Sequence, residues 1–144
     1  MSQKSTLLEV GIPTYNRTPQ LEKCLNSVLV SLEGLASEER KFVGIAISDN
    51  STKDLNNRKK IIDSFEKKFT ELGIGYYRYH ITGYNIGMVN NMSSVYINAK
   101  SEYIWSLGDD DVMRFDALKT VLNAINHHKP CFIAGGWVCK SKVG

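Results

Sequence analysis

FVGIAISDN, residues 42–50, runs seven residues without a charged side chain and then turns acidic at Asp49. A short apolar run of this kind, closed by Asp, Asn, Ser and Thr, reads as a strand covered on both faces, as in a parallel sheet. Outward from it the chain alternates strand and helix with short joints. Upstream, Leu7–Ile12 is a first apolar strand closed by Pro13. Thr18 and Pro19 supply an N-cap and a first helical proline. Leu21, Cys24, Leu25, Val28, Leu29 and Leu32 follow at helical spacing, up to Gly34 and a polar stretch.

Downstream, a second helix around Asp54 to Leu72 offers Leu55, Ile61, Ile62, Phe65, Phe69 and Leu72 to a core. Tyr76–Ile81 is β-prone and aromatic with weaker alternation, hence an outer strand. Gly83–Gly87 is a loop feeding a third helix, with Met88, Met92, Val95, Tyr96 and Ala99 on one side and the methionines expected in the core. Tyr103–Leu107 is the next strand, a fourth helix carries Phe115, Leu118, Val121, Leu122 and Ile125, and Pro130–Ala134 is a last strand. Repeated βα units imply an α/β fold: a mostly parallel sheet flanked by helices on both faces, in one domain over residues 1–144.

Composition narrows the class. A hydrophobic share of 42% and a charged share of 23% are those of an ordinary globular protein, and a net charge of +3 is too small to argue for nucleic acid. Arg58-Lys59-Lys60 and Lys67-Lys68 are assigned to the solvated face of the second helix. Cys24, Cys131 and Cys139 lack paired spacing and fall in apolar contexts, pointing to reduced, buried thiols and a cytosolic compartment. No apolar segment reaches the ~18 residues of a membrane span.

In parallel sheets, ligands bind beyond the carboxyl ends of the strands. Three polar motifs fall there: Pro13–Arg17, Ser48-Asp49-Asn50 and Gly108–Asp111. In an extended segment Asp109 and Asp111 share a side, offering hard oxygens to Mg²⁺ or Mn²⁺, with water and substrate phosphate completing the shell. Such a cation stabilises a diphosphate leaving group. The alternative is an acidic turn opening the next helix. Asp49 suits an Asx-turn, a nucleobase N–H acceptor, or both. Tyr15 can stack on a base, and Arg17 can meet a phosphate or orient Asp49. Asn85-Ile86-Gly87 precedes a helix whose free N–H groups suit an anion, or is simply a turn needing glycine; Asn90 and Asn91 lie one turn further on. No P-loop, dinucleotide fingerprint or GxSxG elbow occurs.

IPTYNR at 12–17, ISDNST at 47–52, YNIGMVNN at 84–91 and YIWSLGDDDV at 103–112 together resemble family 2 glycosyltransferases of the Rossmann-like GT-A fold. LGDDD is similar to the abequosyltransferase-like branch, whose members build bacterial surface polysaccharides. The resemblance implies a nucleotide-diphosphate sugar donor, a divalent metal (Mn²⁺ or Mg²⁺), inversion at the anomeric carbon, and a glycan or lipid-linked saccharide acceptor. By motif matching, Pro13, Thr14, Tyr15, Arg17, Asn85, Gly87 and Asn91 would frame the nucleotide sugar, with Asp49 reading the base. Asp109 and Asp110 would contact ribose or sugar, and Asp111, with Asp109, would hold the metal. Gly108 stands where many members carry another acid, and Asn91 lies near a position that is often arginine.

An inverting transfer needs a general base. In the family it lies well downstream of the metal motif, so the chain is expected to be a donor-binding part, truncated before the acceptor half. That missing part would bring any peripheral association with the inner face of the cell membrane. Two other classes are weighed: a non-catalytic nucleotide-sugar-binding or scaffolding module, and an acid-cluster phosphatase or receiver domain, which would need acids at the first strand.

Overall fold

A computed structural model describes residues 6–130. In chain order these form β1 (Leu8–Thr14), α1 (Thr18–Glu33), α2 (Ser37–Arg40), β2 (Val43–Asp49), α3 (Leu55–Glu71), β3 (Tyr76–Ile81), α4 (Met88–Ile97), β4 (Tyr103–Ser106) and α5 (Ala117–His128). The strands form one sheet in the order β3-β2-β1-β4, every pairing parallel, with β3 outermost as its aromatic pattern implies. The expected strand beyond Pro130, with Cys131 and Cys139, lies outside the described residues.

The two faces of the sheet differ in chemistry. Leu8, Val10 and Ile12 of β1 and Val43, Ile45 and Ile47 of β2 form one core with Leu21, Leu25 and Val28 of α1, Ile62, Phe65 and Phe69 of α3, and Leu118 and Leu122 of α5. The intervening positions on the other face are Glu9, Gly11, Gly44, Ala46 and Ser48, and α4 packs there on β1 and β2. β2 is buried along its whole length, as its unbroken apolar run requires. Close approach of α4 depends on Gly11: a Cβ there would lie 2.1 Å from Cγ1 of Val95, a stiff β-branched side chain. Gly11→Ala is expected to destabilise the fold by about 1–3 kcal/mol through overpacking, read as a lower urea midpoint at unchanged slope.

The structure corrects several expectations. α4 is turned from the expected stripe: Val95 is buried as expected, but Asn91 is buried beside it, whereas Met88 (75% exposed), Met92 and Tyr96 face outward. The sheet beneath α4 is polar and small, and Asn91 satisfies it by accepting from Ser48 Oγ (2.6 Å) and donating to the Thr14 carbonyl (3.2 Å). Phe115 precedes α5 and is exposed. Hydroxyls on α1 govern that entry, since Ser27 Oγ accepts from Met113 N and Ser31 Oγ from Leu118 N, directing Met113 and Leu118 inward. The unforeseen α2 carries Arg40, which donates to the carbonyls of Leu32 and Glu33 and so satisfies the end of α1.

Candidate functional site

The sheet order defines where the site lies. From β1 the chain winds outward to β2 and β3, then returns to lay β4 on the other side of β1. That reversal opens a crevice at the carboxyl ends of β1 and β4, the position where open α/β sheets bind ligands. β1 runs on through Pro13 to Thr14 and β2 to Asp49, and Asn50 N donates to Thr14 O at 3.2 Å. The motif side chains therefore stand on strand ends fixed by the ladder.

Thr14 and Asp109 meet directly, with the threonine hydroxyl donating to Oδ2 at 2.8 Å. Asp49 joins them through Arg58, which the sequence pattern assigns to solvent but the structure buries completely. Its guanidinium donates from Nε to Asp49 Oδ2 (3.2 Å), from Nη1 to Thr18 Oγ1 (3.0 Å) and from Nη2 to Thr14 Oγ1 (2.9 Å). A buried arginine is tolerable only with partners of this kind. The signal was spacing: Leu55, Arg58, Ile62, Phe65 and Phe69 lie three and four apart, so Arg58 occupies the apolar stripe, while the adjacent lysines disguise it. Thr18 consequently spends its hydroxyl on Arg58. It is the first residue of α1 and caps nothing.

Asp49 is fully buried. Oδ1 accepts from Ser51 N at 2.9 Å, the Asx-turn expected of it, and Oδ2 accepts from Arg58 and from the Tyr79 hydroxyl at 2.9 Å. Burial, then the charge of Asp49, pushes the Tyr79 hydroxyl well above its ordinary range. Because Asp49 is fully buried, a base N–H reaches this carboxylate only after neighbouring groups move. Arg17 does not orient Asp49. Its half-exposed guanidinium instead lies 2.6 Å from Asp109 Oδ1 and 3.3 Å from Asp110 Oδ2. The contact to Oδ1 is ionic and poorly aligned, leaving that buried oxygen without a directed hydrogen bond.

The acidic triplet turns tightly, with Asp111 N donating to Gly108 O (3.0 Å) and Gly108 N to Asp111 Oδ2 (3.2 Å). A Cβ at Gly108 would come within 2.8 Å of Asp111 Oδ2, the far end of a side chain that could turn aside to admit it. Burial, followed by the charge of Asp110, raises the Asp111 carboxyl above its usual range. Behind the triplet, Cys24 is buried against the Gly108 carbonyl, and burial plus the nearby aspartates push its thiol up to about 12, so it is inert. Among the described residues, no three His, Cys, Asp or Glu side chains form a metal cage by themselves. The fit is instead to a hard cation held by one or two carboxylates with water and phosphate oxygens, and Asp109 Oδ1, beside Arg17 but without a directed hydrogen bond, is an oxygen suited to it.

Side-chain amides close the other wall. Asn16, in a left-handed conformation (φ 54°), accepts from Thr52 N and Lys53 N and donates its own N–H to Ser51 Oγ. Asn91 donates to Asn50, Asn50 donates to Asn85, and Asn85 accepts from Gly87 N. Gly87 has φ 86°, so its turn does need glycine. Of the remaining candidates, Pro13 is half-buried inside β1, whereas Tyr15, Asn90 and Asp110 are exposed at the rim.

With this geometry in view, the chain's relatives are informative. The glycosyl transferase family 2 profile matches residues 9–144. Abequosyltransferase RfbV of Salmonella typhimurium is 31% identical over 115 residues, 78% of this chain and 30% of that protein. GalNAc(5)-diNAcBac-PP-undecaprenol beta-1,3-glucosyltransferase of Campylobacter jejuni is 26% identical over 120 residues, 83% of this chain and 34% of that protein. This chain thus spans about a third of the length of these curated relatives. Among solved structures, S. aureus TarS 1–349 in complex with UDP-GlcNAc superposes with a TM-score of 0.68 at 18% identity, over 85% of this chain and 32% of that one. The same protein in complex with UDP also gives 0.68, at 85% and 33% coverage. The fold is that of the GT-A structures, and the chain belongs to glycosyltransferase family 2.

Proposed function

We propose that the crevice binds a nucleoside-diphosphate sugar with a divalent cation, as the donor half of an inverting glycosyltransferase. The observation that carries this reading is the buried link between Asp49, Arg58, Thr14 and Asp109, which holds the ends of β1 and β2 and the acidic turn after β4 on one crevice. Further support comes from the similar proteins, among them a GalNAc(5)-diNAcBac-PP-undecaprenol beta-1,3-glucosyltransferase and a GT-A structure solved with UDP and with UDP-GlcNAc.

In this reading Tyr15 stacks on the base, and Asp49 tests its N–H once a partner yields. Asn85, Gly87 and Asn91 shape the wall next to the ribose. Asp109 and Asp110 face the ribose or sugar, while Asp109 and Asp111 supply carboxylate oxygens to Mn²⁺ or Mg²⁺. The cation, when bound, neutralises charge on the diphosphate leaving group. Arg17 leaves the carboxylates and follows the diphosphate, keeping a positive charge at the same mouth. The acceptor is a glycan or lipid-linked saccharide, and the general base comes from beyond these 144 residues. Any membrane contact is peripheral, and among the described residues no helix is long and apolar enough to cross a bilayer.

Calorimetric titration of the chain with several nucleoside diphosphates, with and without Mn²⁺, tests the assignment. The expected outcome is one base preferred by roughly tenfold, with affinity rising on addition of Mn²⁺ and little sugar transfer. An unpaired buried acceptor costs about 1–3 kcal/mol, which sets that preference. Equal binding of every base would remove Asp49 from its role, and no binding at all would end the proposal.

A further inference from the structure

Arg58 cannot touch a ligand, because none of its surface is exposed, yet it stands one hydroxyl away from Asp109. Guanidinium has donors and no acceptor. The hydrogen bond from Arg58 Nη2 to Thr14 Oγ1 (2.9 Å) therefore has one possible direction. Thr14, already accepting, has its single hydroxyl proton free, and that proton points to Asp109 Oδ2 at 2.8 Å. The order of donation is Arg58 to Thr14 to Asp109, and it cannot reverse. Oδ2 is pinned by this chain, so the other oxygen, Oδ1, is turned toward Arg17 at the mouth and is left without a directed hydrogen bond.

We infer that Arg58 and Thr14 are positioning residues that hold the Asp109 carboxylate with Oδ1 presented to the cation–diphosphate group. The inference rests on the donor-binding reading above. Partners behind a metal-binding side chain ordinarily change metal affinity by about 10- to 100-fold when removed, because they fix the ligand's rotamer. Thr18 and Asp49 complete the hold by taking the other two guanidinium directions, so Arg58 cannot swing away from Thr14. Without the hydroxyl at position 14, Asp109 Oδ2 loses its fixed donor and the carboxylate rotates toward Arg17.

Removing Arg58 would strand Asp49, so Thr14→Val, which keeps the shape of the side chain, is the cleaner probe, with Thr14→Ser restoring the hydroxyl. The readout is the ratio of UDP affinities with and without Mn²⁺ on the full chain, accompanied by Mn²⁺ binding alone followed by electron paramagnetic resonance. The ratio is expected to fall about tenfold in Thr14→Val and to return to within about twofold of wild type in Thr14→Ser. An unchanged ratio in Thr14→Val overturns the inference, as does an equal fall in both variants, which would make position 14 a packing site. A wild-type chain whose UDP affinity ignores Mn²⁺ overturns the donor-binding reading itself, and the inference with it.

Discussion

Asp49→Ala is expected to be the most damaging single substitution in the chain, costing about 3–5 kcal/mol. The side chain is fully buried, and its removal leaves the Arg58 cation enclosed with only the hydroxyls of Thr14 and Thr18. Two neutral acceptors do not compensate a desolvated charge as a carboxylate does. Tyr79 loses its acceptor and Ser51 N its Asx-turn partner at the same time. Against a typical total stability of about 5–15 kcal/mol, a loss of that size leaves a marginal fold. Urea denaturation followed by circular dichroism measures it, with the midpoint falling at an unchanged slope. A loss under about 1 kcal/mol would mean that Arg58 escapes to water and that the buried link is dispensable.

Asp111→Ala carries the second large effect, on binding and with the fold intact. Asp111 is partly exposed, and its side chain holds only the Gly108 amide. In the proposed assignment Asp111 is a direct ligand, whose loss should exceed the effect of removing a supporting partner, so the Mn²⁺-dependent gain in UDP affinity is expected to drop roughly a hundredfold or more. Asp109→Ala should match that loss and add instability, because Thr14 and Arg17 both lose their acceptor. The pH dependence has a defined sign. Burial and the charge of Asp110 raise the Asp111 carboxyl, so protons displace the cation at a higher pH than at an ordinary aspartate. For folding, a raised carboxyl favours the native state at low pH, and that contribution disappears as pH rises through the raised value. Asp111→Asn is accordingly expected to be mildly stabilising at neutral pH while abolishing the metal response. Calorimetry over a pH range that begins below the ordinary aspartate value of 3.8 separates the two effects, and metal binding that tracks a normal aspartate would contradict the crowded triplet.

The fold was legible because its signals are redundant. Val43–Ile47 is apolar at consecutive positions, and α1 repeats its stripe over four turns, so a few ambiguous residues change nothing. The convergence of the three motifs was equally legible, since parallel topology places every strand's carboxyl end on one edge. What escaped was whatever depends on a partner from elsewhere in the chain. Arg58 is buried because Asp49, Thr14 and Thr18 await it, and a lysine-rich neighbourhood argues the other way. α4 kept Val95 inward but turned Met88, Met92 and Tyr96 outward because Asn91 satisfies Ser48 and the Thr14 carbonyl, a need that periodicity alone cannot express. Arg17 likewise found Asp109 and Asp110 where its own neighbourhood suggested Asp49.

The two lips of the crevice are fastened by different forces. One side is laced by uncharged amides, Asn91 to Asn50 to Asn85, while the other is closed by a half-exposed guanidinium over carboxylates. Dissolved electrolyte weakens the exposed Arg17–Asp110 contact, acts little on the buried Asp109 carboxylate, and leaves the amides untouched. Brine should thus loosen the Arg17–Asp110 contact while the amide side holds, so the two flanks of the crevice differ in their sensitivity to salt.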